Sequence, residues 1–171
     1  HGWRLWWLGL LLLIGCGGPS GEGGVVENTV SKIFSGSFQG STVTGMSYVI
    51  TANGQSSSGT TDASGGFSYS RLLDDDGLPQ GGSFGTITFS IGSVTLGATV
   101  LDGEDDVRIT AFDLVDPDLG DYRTRVENIE KYICSFATLP SQCQSVTITR
   151  DDIRSRNAAL PAMTLANLDN S

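Results

Sequence analysis

Residues 86–100, TITFSIGSVTLGATV, alternate apolar and small polar side chains on both sides of Gly92-Ser93. A period of two places the apolar side chains on one face of a β-strand, and a two-residue break that contains Gly favours a hairpin. The same alternation recurs in GMSYVIT, GGFSYS and VRITAFDLV, with Asn53-Gly54 as a second hairpin turn. Short strands joined by tight turns predict a mainly β chain folded as an antiparallel β-sandwich.

A turn is expected where TTDASGG separates two of these strands. Asp62 can accept a backbone hydrogen bond there, because short acidic side chains bond to the chain a few residues further on. Gly65 or Gly66 would take the left-handed backbone conformation, which costs glycine nothing.

After Asp116-Pro117 the apolar spacing changes to three and four, which is typical of a helix. The residues at this spacing are Val126, Ile129, Ile133 and Phe136. They predict a C-terminal helix over residues 122–137 with one face on the sheet. A last short strand is expected in SVTIT, and Thr149 with Asp152 resembles a capping box that opens a short helical tail ending at Arg156.

The N-terminal residues have the order of an export signal. Arg4 precedes an apolar run over residues 5–14, which is too short to span a bilayer and is followed by small residues. The sequence LIGC, ending at Cys16, resembles the bacterial lipobox, in which the cysteine becomes the first mature residue and carries acyl chains. A cysteine in a core helix is the alternative, but the glycines and Pro19 that follow would break such a helix. Gly17 and Gly18 stand where a retained inner-membrane lipoprotein has Asp, so outer membrane is the predicted location.

These signals divide the chain into four segments. Residues 1–15 are the predicted signal peptide, 16–44 a lipidated Gly/Ser-rich tether, 45–115 the β-sandwich, and 116–171 a helix, a disulfide loop and a short strand packed on it. Residues 30–38 form an apolar islet in the tether that has an alternative interpretation as a first edge strand. The chain is expected to continue beyond Ser171.

Removal of residues 1–15 leaves nine Lys and Arg against nineteen Asp and Glu and takes away the single histidine. An acidic surface repels phosphate backbones, which argues against nucleic acid as a partner. A chain without histidine cannot assemble a Ser-His-Asp triad or the usual zinc sites.

Two kinds of catalysis stay open as alternatives. Glycoside hydrolysis needs only a carboxylate pair, but the chain without residues 1–15 has no tryptophan, the strongest sugar-stacking side chain. A Ser-Lys nucleophile would need Lys32, which lies in the predicted tether, or Lys131, on the exposed side of a helix. The sequence therefore predicts no enzyme activity.

Cys134 and Cys143 remain after the lipidated cysteine. Export places them in an oxidising compartment, and an even number of cysteines favours a disulfide. Metal binding is the alternative, and two thiols without further ligands make a poor site.

The acidic stretches are the remaining candidates for a ligand site. An EF-hand calcium loop needs alternating oxygen ligands, a central Gly and a final Glu, and neither DDDG nor DGEDD fits that pattern. Two such loops could still combine in a different calcium site. Its candidate ligands are Asp74, Asp76, Asp102, Glu104 and Asp106. The alternative is that these carboxylates are solvated turn residues; no other cofactor is expected.

Four segments together carry a family resemblance: SYVITANGQSSSGTTDASGGFSYS, TITFSIGSVTLGATV, AFDLVD and VENIEKYICSF. Over residues 45–150 they resemble a module repeated in secreted and lipid-anchored bacterial proteins of mostly unassigned function. TTDASGGF also resembles the carboxypeptidase-regulatory, transthyretin-like (prealbumin-like) sandwiches. The chain departs from the pattern in its long segment 71–85 and in FDLV, which lacks the usual proline. The resemblance implies a β-rich accessory or display domain and brings no catalytic residues.

These observations predict a binding, display or assembly module that is anchored in the outer membrane by lipid and faces the periplasm or the cell surface. Its expected partner is an envelope protein or a glycan. Two alternatives are a calcium-dependent adhesion or glycan-binding module, and an N-terminal accessory domain of a larger secreted enzyme.

Overall fold

A computed structural model of the chain describes residues 29–139, 143–157 and 163–164. Ten strands and two α-helices lie in these ranges: β1 Val30–Phe38, β2 Thr42–Thr44, β3 Ser47–Ala52, β4 Gln55–Thr60, β5 Gly66–Leu73, β6 Thr86–Ile91, β7 Val94–Val100, β8 Val107–Ile109, α1 Tyr122–Cys134, β9 Ser145–Thr147, α2 Arg150–Asn157 and β10 Met163–Thr164. The predicted signal peptide and Cys16 fall outside the described residues. Within these ranges, no helix is both long and apolar enough to cross a membrane.

The larger sheet has five strands in the order β10-β7-β6-β3-β4. The β3–β4 hairpin turns at Asn53 and Gly54, with φ values of 51° and 75°, as an Asn-Gly turn requires. The β6–β7 hairpin turns at Gly92-Ser93, with Ile91 opposite Val94. Both predicted hairpins are confirmed, and so is the mainly β fold with antiparallel sheets.

The smaller sheet, which has three strands, shows that part of the predicted tether is folded. β1 lies between β5 and β8, paired antiparallel with β5 from Val30↔Leu73 to Ser37↔Gly66. Residues 30–44 therefore belong to the folded domain, and β1 is a central strand instead of an edge strand. The physical reason is burial at alternate positions, because Phe34 and Phe38 are 1% and 2% exposed within an otherwise Gly- and Ser-rich segment.

Aromatic rings join the two sheets into a sandwich. The ring of Phe89 in β6 lies 5.4 Å from the ring of Phe38 in β1 and 5.7 Å from that of Phe67 in β5, in edge-to-face geometry. Such pairs add about 0.5–1.5 kcal/mol beyond the area that they bury. The core sits at this contact between the sheets.

The C-terminal part packs on the same core. Val126, Ile129 and Ile133 of α1 are buried, which confirms the predicted stripe, although the helix ends at Cys134 and Phe136 is only partly buried. β9 lies parallel to β2, so the end of the described chain returns to its beginning. The capping box that opens α2 is also confirmed, since the Asp152 carboxylate accepts hydrogen bonds from the Thr149 backbone and hydroxyl.

One predicted strand ends early. VRITAFDLV was expected to continue in extended form, but β8 stops at Ile109 and Ala111–Leu114 forms a 3₁₀ helix. The Asp113 carboxylate accepts hydrogen bonds from the Thr110 backbone N–H and hydroxyl at 2.7 and 2.8 Å. This capping interaction stabilises the turn against a longer strand.

Candidate functional site

A polar groove of about 620 Å³ opens on the solvent face of the smaller sheet. Ser35, Ser37 and Ser68 lie on that exposed face, because β1 and β5 bury the residues between them. One side of the groove is formed by the turn that carries Asp62, and the other by Arg108 of β8 with its neighbour Asp106. The groove therefore offers hydroxyl groups between two carboxylates and a guanidinium.

The Asp62 turn is fixed by its own hydrogen bonds. One carboxylate oxygen accepts from the backbone N–H groups of Ser64 and Gly66, both at 2.8 Å, and from the Ser64 hydroxyl at 2.6 Å. Gly65 takes the left-handed conformation with φ of 76°, so the predicted turn is confirmed. The bonds from Ser64 and Gly66 lower the pKa of Asp62 below its ordinary value. The carboxyl is therefore held as an anion that accepts hydrogen bonds at the edge of the groove.

Tyr48 closes the groove from below. Its hydroxyl donates a hydrogen bond of 3.2 Å to the carbonyl oxygen of Ser68 in β5, across the edge strand β4. This contact ties the larger sheet to the smaller one beneath the serine hydroxyls. The groove is thus supported by both sheets instead of by a loop.

The opposite side of the groove combines a strained residue with a free cation. Asp106 has a φ of 59°, which is uncommon for a residue other than glycine, and its carboxylate accepts a 2.7 Å hydrogen bond from Ser35. Arg108 is exposed and lies opposite Ser37 in the parallel β1–β8 pairing. Its guanidinium has no hydrogen-bond or ion-pair partner among the described residues, which leaves its donors for a ligand.

The calcium candidates fall in two places. Asp102, Glu104 and Asp106 line a second groove of about 490 Å³, while Asp74 and Asp76 lie in the turn after β5 and do not line it. Asp74 accepts from the backbone of Asp76 and Leu78, and Asp102 from the backbone of Glu104. Over the described ranges, no three Asp, Glu, His or Cys side chains are grouped so that they could hold a metal ion. Asp74 and Asp102 thus act as acceptors in turns, and a calcium site remains a prediction.

The predicted disulfide is confirmed between Cys134 and Cys143, with Cα atoms 5.2 Å apart. Ser41 donates its hydroxyl to the carbonyl oxygen of Cys143 at 2.6 Å. The disulfide and the Ser41 hydrogen bond therefore connect the end of α1 to the segment that leads into β2.

Sequence reasoning missed Ser35, Ser37, Ser68 and Arg108 as groove residues. Their signal is present, because each occupies an outward position in a strand of alternating burial. It becomes readable only once β1 is known to lie between β5 and β8, and those pairings join distant parts of the chain.

No protein-family model matches this sequence, and searches of curated proteins and of solved structures return no match either.

Proposed function

We propose that the chain is a non-catalytic, lipid-anchored binding module of the bacterial outer membrane whose polar groove holds a glycan of the cell envelope. The observation that carries this proposal is the groove itself, with serine hydroxyls between the Asp62 and Asp106 carboxylates and the Arg108 guanidinium. Carboxylates accept, guanidinium donates, and hydroxyls do both, which suits a ligand that presents many hydroxyl groups.

The sequence supports the location. The lipobox-like LIGC ends at Cys16, and a glycine-rich segment separates it from β1. The disulfide between Cys134 and Cys143 fits an oxidising compartment.

Binding is favoured over catalysis by the ionisable groups of the described part of the chain. Asp62, which lines the groove, has a pKa lowered by hydrogen bonds from Ser64 and Gly66, which is opposite to the shift that a carboxylic general acid needs. The two candidate lysine bases are each engaged by a carboxylate, Lys32 by Asp105 at 2.9 Å and Lys131 by Glu127 at 3.3 Å.

The proposal is tested by sedimentation of the full chain with insoluble peptidoglycan sacculi and, separately, with lipopolysaccharide vesicles. Arg108→Ala should reduce binding to one of these probes by about tenfold, the loss expected for one charge-assisted hydrogen bond. Arg154→Ala is the matched control, because Arg154 is exposed on α2 and lies outside the groove. Equal binding by both variants, or no binding of the parent chain to either probe, would overturn the glycan proposal.

A further inference from the structure

β4 is the terminal strand of the five-stranded sheet and is exposed along most of its length. Just past its end, the Thr61 N–H donates to the Met46 carbonyl at 2.9 Å. Bonded and non-bonded pairs alternate in an antiparallel ladder, so the backbone groups of Ser56, Ser58 and Thr60 point away from β3. Within the described ranges, these outward N–H and C=O groups have no hydrogen-bond partner in the chain.

The edge of β5 is treated differently. Each of its outward carbonyl oxygens accepts a hydrogen bond: that of Gly66 from Asp62, of Ser68 from Tyr48, of Ser70 from Arg71 and of Leu72 from Gln80. The far edge of the larger sheet is paired in part, because β10 lies against Val94 and Thr95 of β7. β4 is therefore a sheet edge along which the described residues bond neither the outward N–H nor the outward C=O groups.

The sequence of β4 also lacks the features that prevent an exposed strand edge from pairing with another chain. QSSSGT contains no charged residue and no proline, and its outward-face neighbours on β3 are Ser47, Val49 and Thr51. Proteins usually protect exposed edges with charge, proline or a bulge. A neutral edge in a chain of formal charge -9 is the place where two copies can meet with the least repulsion.

We propose that β4 pairs with β4 of a second copy of this chain, antiparallel about a two-fold axis at Ser58. In this register Ser58 lies opposite Ser58 of the second copy, and Ser56 lies opposite Thr60. The outward-pointing groups then meet as hydrogen-bonded pairs, each exchanging two N–H···O bonds. Ser–Thr pairs across strands also hydrogen-bond through their side chains.

A second copy fits better than an unrelated strand. The edge is self-complementary in this register, and an isologous contact closes after two subunits. A basic partner strand would instead be attracted to the acidic turns elsewhere on the chain, because β4 offers it no carboxylate.

Cysteine cross-linking of the purified full chain tests the register. Ser58→Cys places the two cysteine Cα atoms about 5.5 Å apart, within the range of a disulfide. Ser56→Cys is the matched control, because its two copies would stand about 14 Å apart, four strand residues from one another. With a mild oxidant, Ser58→Cys should form covalent dimer at least about tenfold faster than Ser56→Cys, as expected for a pair held at the 5.5 Å spacing. The parent chain supplies the background from Cys16.

Two further measurements complete the test. An equimolar mixture of Ser56→Cys and Thr60→Cys should cross-link although neither does so alone. Ser58→Lys should abolish the non-covalent dimer in sedimentation without lowering the melting temperature, because it only places two like charges opposite each other. Cross-linking of Ser58→Cys no faster than that of Ser56→Cys, or a dimer that survives Ser58→Lys, would each overturn the proposal.

Discussion

The side chain of Tyr48 lies over Gly59, its cross-strand partner in β4, so closely that a Cβ at Gly59 would stand 2.5 Å from the tyrosine hydroxyl. Aromatic side chains commonly cover a glycine on a neighbouring strand in this way. The glycine leaves the space through which Tyr48 reaches Ser68. One missing methyl group therefore permits the contact between the two sheets beneath the groove.

Gly59→Ala should lower the free energy of unfolding by about 1–3 kcal/mol, because the added methyl group displaces Tyr48 in a packed region. Urea denaturation measures the change. Ser57→Ala on the same strand is the control, and it should change stability by less than about 0.5 kcal/mol because Ser57 is exposed. A neutral Gly59→Ala would show that Tyr48 has an alternative position.

Loss of the disulfide should lower stability by about 2.7 kcal/mol, the loop-closure value for a loop of this length. Cys134→Ser makes the change, and thermal or urea unfolding measures it. Thiol labelling should find Cys143 reactive in the variant. If both cysteines of the unreduced parent chain already react, the bridge is absent in solution.

The hydroxyl of Tyr69 is buried and has no hydrogen-bond partner among the described residues. Tyr69→Phe should therefore raise the free energy of unfolding by about 1 kcal/mol, because it removes an unsatisfied polar group. Tyr48→Phe is the matched control and should lower stability by a similar amount, since that hydroxyl is bonded to Ser68.

Tyr69 also determines the direction in which stability changes at alkaline pH. Burial raises the pKa of Tyr69 above its ordinary value of about 10. Above that pH the unfolded chain loses the proton while the folded chain keeps it, so stability falls as the pH rises. Tyr69→Phe should make the fall shallower. An unchanged slope between parent and variant would show that Tyr69 is open to solvent.

The proposed lipid anchor requires Cys16. Acyl chains contribute about 0.8 kcal/mol per buried CH₂, so Cys16→Ser should release the chain from membranes or leave it as an unprocessed precursor. Fractionation and mass spectrometry of the N-terminal peptide measure this. An unmodified Cys16 in the mature protein made from the intact gene would exclude the lipoprotein hypothesis. It would not bear on the proposal that the groove binds a glycan.

Calcium should have no effect on the melting temperature if the acidic residues act only in turns. A ligand that binds the folded chain alone must raise the melting temperature. Replacing Asp74, Asp75 and Asp76 by Asn should then change stability by no more than about 0.5 kcal/mol. Stabilisation by calcium that disappears in the triple variant would favour the calcium-dependent alternative.

Locally encoded elements were predictable from the sequence, and distant pairings were not. The Asn53-Gly54 turn and the Thr149–Asp152 cap each involve residues close in sequence, so a short window contains all the information. The glycines and serines of β1 resemble a linker, so the sequence favours a tether there and offers an edge strand only as the alternative. The strand character of β1 depends on Phe34 stacking against Tyr69, a contact that no local pattern reveals. The groove could not be predicted for the same reason, because its residues come from β1, β5 and β8, which pair across distant parts of the chain.

The pairing of β1 determines how this domain would respond to a mechanical pull. β1 is bonded to β5 from Val30↔Leu73 to Ser37↔Gly66, and the groove lies at the Ser37 end. A force between an attachment ahead of Val30 and a ligand held by Ser68 of β5 runs along the strand axis and passes through the β1–β5 ladder, perpendicular to its hydrogen bonds. The bonds are then loaded in shear and share the force, whereas unzipping would break them one at a time. The β1–β5 pairing would thus resist extension along the line from the proposed membrane attachment to a ligand in the groove.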